Sequence, residues 1–457
     1  MDELQYVYAT AGVMVLYFIW RVATGRFDPF APVWMFFVGY VQVYVIQPIS
    51  FHDWAVGVRG VELVTAANQR ALWALLWFLA AYHLGPGRLL SRWLPTPPRG
   101  WSAGTAAAIS PVLIVWGILS AGFFGGGAGE VSAEGALLRS FPFVMMVAAI
   151  LLIVTGGRVD EPRRGFLVAG LAVASGYMLI WLLNGKRSHS LMAVLTTVCA
   201  MYVTRFKRPS WPVLGAIAFT GALAVALAIG WRNTRSYERS LGGFAQFVVE
   251  FDPSTILVSM DVVGDQEDVS DEFASYETKE YGGFLLMLDT VPEKSDYDYG
   301  QSYLRTFSTF IPRIVWPSKP LYGRKEWVGA WIAGSEFKRD EEFTGPAIGI
   351  LGATQLNGGA VGTLVVLAVA ASFLRMLYEF FLRHAASPWA QFFWSVFFFN
   401  AWFMVVNDDP MIWFYYNWGL SAFPTVTAMW FVAKFAGGPV AEPRPTPTAV
   451  PAFGTPR

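Results

Sequence analysis

The chain has 457 residues, 55% of them hydrophobic and only 14% charged, with 33 Lys+Arg set against 33 Asp+Glu. A soluble domain carries about a quarter charged residues, so an ordinary water-soluble fold is excluded. Nothing in the sequence suggests nucleic-acid binding. A single cysteine, Cys199, excludes an internal disulfide and a cysteine metal centre. The four histidines (His52, His83, His189, His384) lack metal-ligand spacing, and no P-loop or dinucleotide fingerprint is present. The expectation is a protein without metal or cofactor.

Apolar runs near the ~20 residues that cross a bilayer as a helix recur along the chain. They predict an all-α polytopic membrane protein with about eleven spans. These are residues 4–20, 30–49, 71–90, 103–123, 140–156, 165–183, 190–204, 211–231, 357–382, 388–406 and 411–435. The first run has acids before it (Asp2, Glu3), arginines after it (Arg21, Arg26) and no small-residue cleavage site, so it reads as a retained span rather than a signal peptide.

Short loops set the orientation. Those after spans one, three, five and seven carry Arg21 and Arg26; Arg88, Arg92 and Arg99; Arg158, Arg163 and Arg164; Arg205, Lys207 and Arg208. Arg383 and His384 follow span nine, and Lys434 opens the tail. The alternate loops are poorer in cations: GGGAGEVSAEG (125–135) holds two acids and NDDP (407–410) no cation. Positive-inside bias then puts the N-terminus outside and the C-terminus in the cytoplasm.

Four regions follow: spans one to eight in 1–231, a long external loop in 232–346, spans nine to eleven in 347–435, and a Pro-rich cytoplasmic tail in 436–457 that reads as disordered. The loop holds 12 Lys+Arg against 20 Asp+Glu. A connection this long in a compact protein is expected to fold. SLGGFAQFVVEF, GGFLLMLD and QSYLRTFSTFI carry apolar residues at near-helical spacing and predict short helices on, or dipping into, the outer leaflet. The acidic segment 261–277 reads as solvated surface.

Several cations break the positive-inside pattern: Lys186 and Arg187 in NGKRSHS; Arg232, Arg235 and Arg239 in GWRNTRSYERS; then Arg305, Arg313 and Lys319. Arginine presents a planar fork that fits phosphate oxygens in pairs, and lysine adds a point charge. In FIPRIVWPSKP the prolines fix φ around Arg313 and Lys319, which pre-organises both, and Trp316 can cover an apolar ligand surface. Each has a structural rival. Lys186 and Arg187 can mark the membrane surface, Arg232 and Arg235 can pair with loop acids, and the proline segment can be a rigid interfacial turn. Glu250, Asp252 and Asp289 sit in apolar segments where a raised pKa suits a general base, with Asp252 first because Pro253 stiffens the backbone behind it.

These residues carry a resemblance. NGKRSHSLMAVL resembles the Gly-x-Arg segment of bacterial oligosaccharide repeat-unit polymerases, the O-antigen polymerase (Wzy-type) family. YGQSYLRTFSTFIPRIVWPSKP is similar to that family's Tyr-Gly-x-x-Tyr lead-in and Pro-Arg-x-x-Trp-Pro-x-Lys-Pro element. GPAIGILGATQLNGGAVG resembles the turn and span that follow, without the aromatic expected before the glycine pair. The resemblance covers roughly 180–365. It implies a GT-C-like membrane glycosyltransferase that polymerises undecaprenyl-diphosphate-linked units at the outer face of the bacterial inner membrane, needing no nucleotide sugar and no metal. It implies diphosphate contacts from Arg187, Arg313 and Lys319, with Lys186, Arg232 and Arg235 added by position and charge. Arg313 and Asp252 become the catalytic candidates. Tyr303, Trp316 and Asn357 become sugar or lipid contacts. The bilayer, the lipid-linked glycan and a chain-length regulator are the implied partners. Rival readings are an O-antigen ligase, or a flippase of lipid-linked sugars; the lack of an internal repeat and the loop position of the cations speak against transport.

Overall fold

The computed structural model describes residues 3–97, 101–125, 143–159, 162–184, 187–233, 237, 240–251, 279–294, 296–303, 316 and 347–407; of Arg187 and Arg232 it describes the backbone. Every regular element among them is a helix. The helices are α1 (Gln5–Ala23), α2 (Pro32–Ser50), α3 (His52–Arg59), α4 (Val61–Leu84), α5 (Gly87–Leu90), α6 (Ala103–Gly125), α7 (Val144–Gly156), α8 (Arg164–Leu183), α9 (Arg187–Val203) and α10 (Trp211–Asn233). Then come α11 (Leu241–Val249), α12 (Glu280–Thr290), α13 (Gly349–Arg383), α14 (Pro388–Phe397) and α15 (Asn400–Val406).

Among the described residues seven stretches are long and apolar enough to cross a membrane: α1, α2, α6, α8, α10, α13 and the α14–α15 pair. Helices are the form such segments take in lipid, because every backbone polar group is then satisfied within the segment. Two shorter apolar helices, Val144–Gly156 and Ser188–Val203, stand where spans five and seven were predicted. The eleventh span and the tail lie outside the described residues.

Three spans differ from expectation. The third starts ten residues early, at Val61, and stops at Leu84, where Gly85 and Pro86 end the helix. The polar first turns of α4 carry Glu62, Asn68, Gln69 and Arg70, which no apolar window captures. The ninth begins at Gly349 rather than 357 and breaks at Gly358–Gly359. The tenth is interrupted at Phe398–Phe399, between α14 and α15.

Core and rim separate clearly. In the α14–α15 stretch 89% of residues are buried, against 17% in α10, so the former is central and the latter peripheral. Phe36 of α2 stacks on Phe78 of α4 at 3.7 Å. Gly39 lets α2 touch α15, since a Cβ there would stand 2.9 Å from Val405 Cβ.

The bundle has two chemically distinct ends. At the basic end Arg383 donates to Ser91 O, Arg88 meets Glu379 at 3.3 Å, and Phe27 stacks on Trp211. Buried Asp28 lies there too, accepting from Phe30 N–H at 3.0 Å and from the Tyr378 hydroxyl. The opposite end gathers the N-terminus of α1, the start of α4, α3, α12 and the broken start of α13.

The loop helices correct one expectation. The helices predicted in SLGGFAQFVVEF and GGFLLMLD form, as α11 and α12, and Ser240 caps α11 by accepting Gly243 N–H at 3.1 Å. However, α12 does not dip into lipid. Tyr281 to Met287 are all buried inside the protein. Gly283 permits this, since a Cβ there would lie 2.1 Å from Ala347 O. Of QSYLRTFSTFI only 301–303 is described, as one helical turn. The segment 261–277 lies outside the described residues.

Candidate functional site

The loop end is built around α12. Gln47, at the end of α2, accepts Tyr281 N–H on Oε1 at 2.8 Å and donates from Nε2 to Glu280 Oε2 at 2.7 Å. The Tyr281 hydroxyl reaches Asn68 of α4 at 2.8 Å. At the other end of α12, Asp289 meets Arg59 of α3 at 3.2 Å and Lys294 at 2.7 Å. So held, the chain turns after Val291 and brings 296–303 against the break in α13.

Asn357 is the clamp at that break. Its Oδ1 accepts Gly300 N–H at 3.0 Å and the Ser302 hydroxyl at 2.8 Å, while its Nδ2 donates to Ala353 O at 2.8 Å. Asp298 N–H donates to Leu356 O at 2.9 Å, and Asp298 Oδ2 accepts Ser302 N–H at 2.6 Å. Gly359, at φ +59°, faces Tyr297 so closely that a Cβ would stand 2.7 Å from Oη. The hydroxyls of Thr354 and Thr363 meet across the break at 2.9 Å. On the α4 side Arg70 donates to Gln355 Oε1, and Gln355 donates to Val291 O.

This geometry revises several sequence-based roles. Asn357 was expected to contact sugar or lipid. Its amide oxygen and nitrogen are both engaged within the chain, so it positions the 298–303 turn. Glu250 was expected to have a raised pKa; the Tyr237 hydroxyl at 2.6 Å and Gln246 at 3.0 Å donate to it, and these bonds hold its carboxyl below the usual value. Asp289, one of the three candidates for a base, is tied to Arg59 and Lys294. Among the described residues, the acid that burial pushes up is Asp298. It lies directly before the Tyr-Gly-x-x-Tyr lead-in, and nothing in its local sequence distinguishes it from Asp296.

Among the cations, the structure brings two backbone positions together. The Trp231 ring N–H donates to Leu183 O at 2.8 Å, so the end of α10 before Arg232 sits on the end of α8, four residues ahead of Arg187. His189 stacks on Trp181 at 4.2 Å in the same corner, and α11 packs on Trp231 through Phe244 and Phe247. Lys186, Arg235, Asp252, Arg313 and Lys319 lie outside the described residues. Trp316 is exposed, and Tyr303 begins where the Asn357 clamp ends. Sequence reasoning missed Arg70, Gln355, Tyr297 and Asp298. The one available signal was an arginine at the border of an apolar run.

Chemically, the loop end combines cations, one carboxyl of raised pKa and an anchored turn from which the Arg313–Lys319 segment continues. Among the described residues no group of three His, Cys, Asp or Glu could hold a metal ion. No family model, curated protein or solved structure matches this chain.

Proposed function

We propose that this protein is a GT-C-like membrane glycosyltransferase that polymerises polyprenyl-diphosphate-linked oligosaccharide units at the extracytoplasmic face of a bacterial inner membrane. The observation that carries the reading is the Asn357 clamp. It fastens residues 298–303 to α13, and the next residues of the chain are those that lead to Arg313 and Lys319. The turn that leads in sequence to these cations lies at the same end of the bundle as the Arg187 and Arg232 backbone positions.

In the proposed reaction the acceptor sugar hydroxyl attacks the anomeric carbon of the growing chain. The bond from that carbon to the diphosphate oxygen breaks, and the hydroxyl proton passes to a carboxylate base. Negative charge grows on the leaving diphosphate, and fixed arginines and lysines facing it lower the barrier. Asp252, favoured on sequence, and Asp298, favoured by its buried surroundings, are the two candidates for the base. The undecaprenyl carrier, the lipid bilayer and a chain-length regulator complete the setting.

One feature favours transport instead, because broken helices line many transporter sites. The break in α13 lies at Gly358–Gly359, nine residues into a helix of 35, so it sits near the loop end rather than at mid-span. This position suits an enzyme site at the membrane surface. The test is elongation of a defined undecaprenyl-diphosphate oligosaccharide from the organism's own glycan pathway, with products read by mass. A ladder spaced by whole repeat units, lost in folded Arg313→Ala, is the expected result. Movement of the glycan between leaflets without elongation would replace the enzyme by a flippase.

A further inference from the structure

Arg70 occupies the last polar position of α4 before the apolar run from Ala71. An arginine at such a border ordinarily snorkels, laying its stem on apolar surface and its head in water. Here the guanidinium turns into the bundle. Nη1 donates to Oε1 of Gln355, a residue of α13 only 4% exposed and 285 positions away. Gln355 uses its Nε2 on Val291 O, which leaves its oxygen aimed at Arg70.

Among the described residues no carboxylate forms an ion pair with Arg70. Described acids at this end of the bundle are engaged elsewhere: Glu280 with Gln47, Asp289 with Arg59 and Lys294, Asp298 with Ser302. A guanidinium carries five N–H donors and a full charge. One neutral amide answers neither need, and a partly buried charge without an anion is costly. The Tyr297 ring, which abuts Gly359 at the helix break, lies within electrostatic reach of Arg70.

We infer that Arg70 is an anion ligand of the loop-end site, taking the phosphoryl oxygens of a diphosphate on a guanidinium fork that Gln355 orients. The fork's planar geometry matches phosphate oxygens in pairs. The inference rests on the proposed function for the kind of anion. It adds a residue on a spanning helix rather than in the loop, so the diphosphate is gripped from α4.

The test uses full-length protein in nanodiscs of zwitterionic lipid, wild type and Arg70→Gln, titrated with farnesyl diphosphate and with inorganic diphosphate. Binding is read by the phosphorus resonance and by the shift in thermal stability. Loss of affinity in Arg70→Gln on the order of tenfold or more is expected. Binding within about twofold of wild type overturns the inference. If inorganic diphosphate binds as tightly as the prenyl form, Arg70 holds the anion alone; if only the prenyl form binds, it holds a lipid head group. Should Arg70→Gln not fold, Arg70→Lys decides: weakening on the order of tenfold supports the fork, and affinity within about twofold rejects it. The two readings fail separately. Diphosphate binding that depends on Arg70, without a polymer ladder, sinks the polymerase. A ladder from wild type with binding intact in Arg70→Gln sinks the anion site.

Discussion

The Tyr281 hydroxyl donates to Asn68 Oδ1 at 2.8 Å, with both residues almost wholly buried. This bond joins the loop helix α12 to α4 two residues before Arg70, and Asn68 Nδ2 in turn holds Glu3 O at 3.1 Å. Removing the hydroxyl leaves a buried amide oxygen without its donor. Tyr281→Phe should therefore cost about 1–3 kcal/mol, seen as a lower melting temperature of the purified protein. An unchanged melting temperature would show that α12 is not held through this pair.

Gly359 combines φ +59° with a Cβ position 2.7 Å from Tyr297 Oη. Gly359→Ala meets both a left-handed backbone and a collision, and should destabilise by about 1–2 kcal/mol or more. Gly12, inside α1, has open space around its Cβ position. There alanine should be neutral or stabilising by about 0.5–1 kcal/mol, from helix propensity alone. Equal effects of the two substitutions on the melting temperature would contradict the break geometry.

Burial holds the Asp298 carboxyl above its ordinary value of 3.8. The folded state then favours the protonated form, so ionisation opposes folding. That opposition is absent below the ordinary value and grows as pH rises through the raised one. Asp298→Asn keeps an oxygen for Ser302 N–H and removes the charge. Melting temperatures followed upward from about pH 4 should show the variant gaining on wild type. Glu250 has the opposite sign: its bond from Tyr237 lowers its pKa, so its contribution is present at neutral pH and is lost as pH falls through the lowered value. Glu250→Gln should narrow its gap to wild type in acid.

The proposed orientation is open to direct labelling, because native Cys199 is buried and gives little background. Gly57→Cys on exposed α3 marks the loop end, and Lys207→Cys marks the basic end. An impermeant maleimide should label Gly57→Cys in intact spheroplasts and Lys207→Cys only after lysis. The reverse pattern would invert the topology and place the candidate site in the cytoplasm.

Most of the helical framework was legible before any fold was known. Long apolar runs become helices because lipid cannot satisfy a bare backbone, and the arginines at alternate loops sort the helix ends into two groups. The loop helices at 241–249 and 280–290 were legible from their apolar spacing. Helix limits were less so at 61 and 349, where polar or glycine-containing turns continue a helix beyond its apolar run.

The tertiary structure decided what the loop end is made of. No local pattern says that α12 is buried in protein rather than lipid, because its apolar residues would suit either. Only the Gly283–Ala347 approach settles the matter. Asn357 reads as an exposed polar residue before a glycine pair, until Gly300 and Ser302 close on it from 57 and 55 positions away. Arg70 and Gln355 meet across 285 positions. Periodicity records which face of a helix is apolar, but the partner of a polar side chain depends on which helices become neighbours, and that is set only when the chain packs.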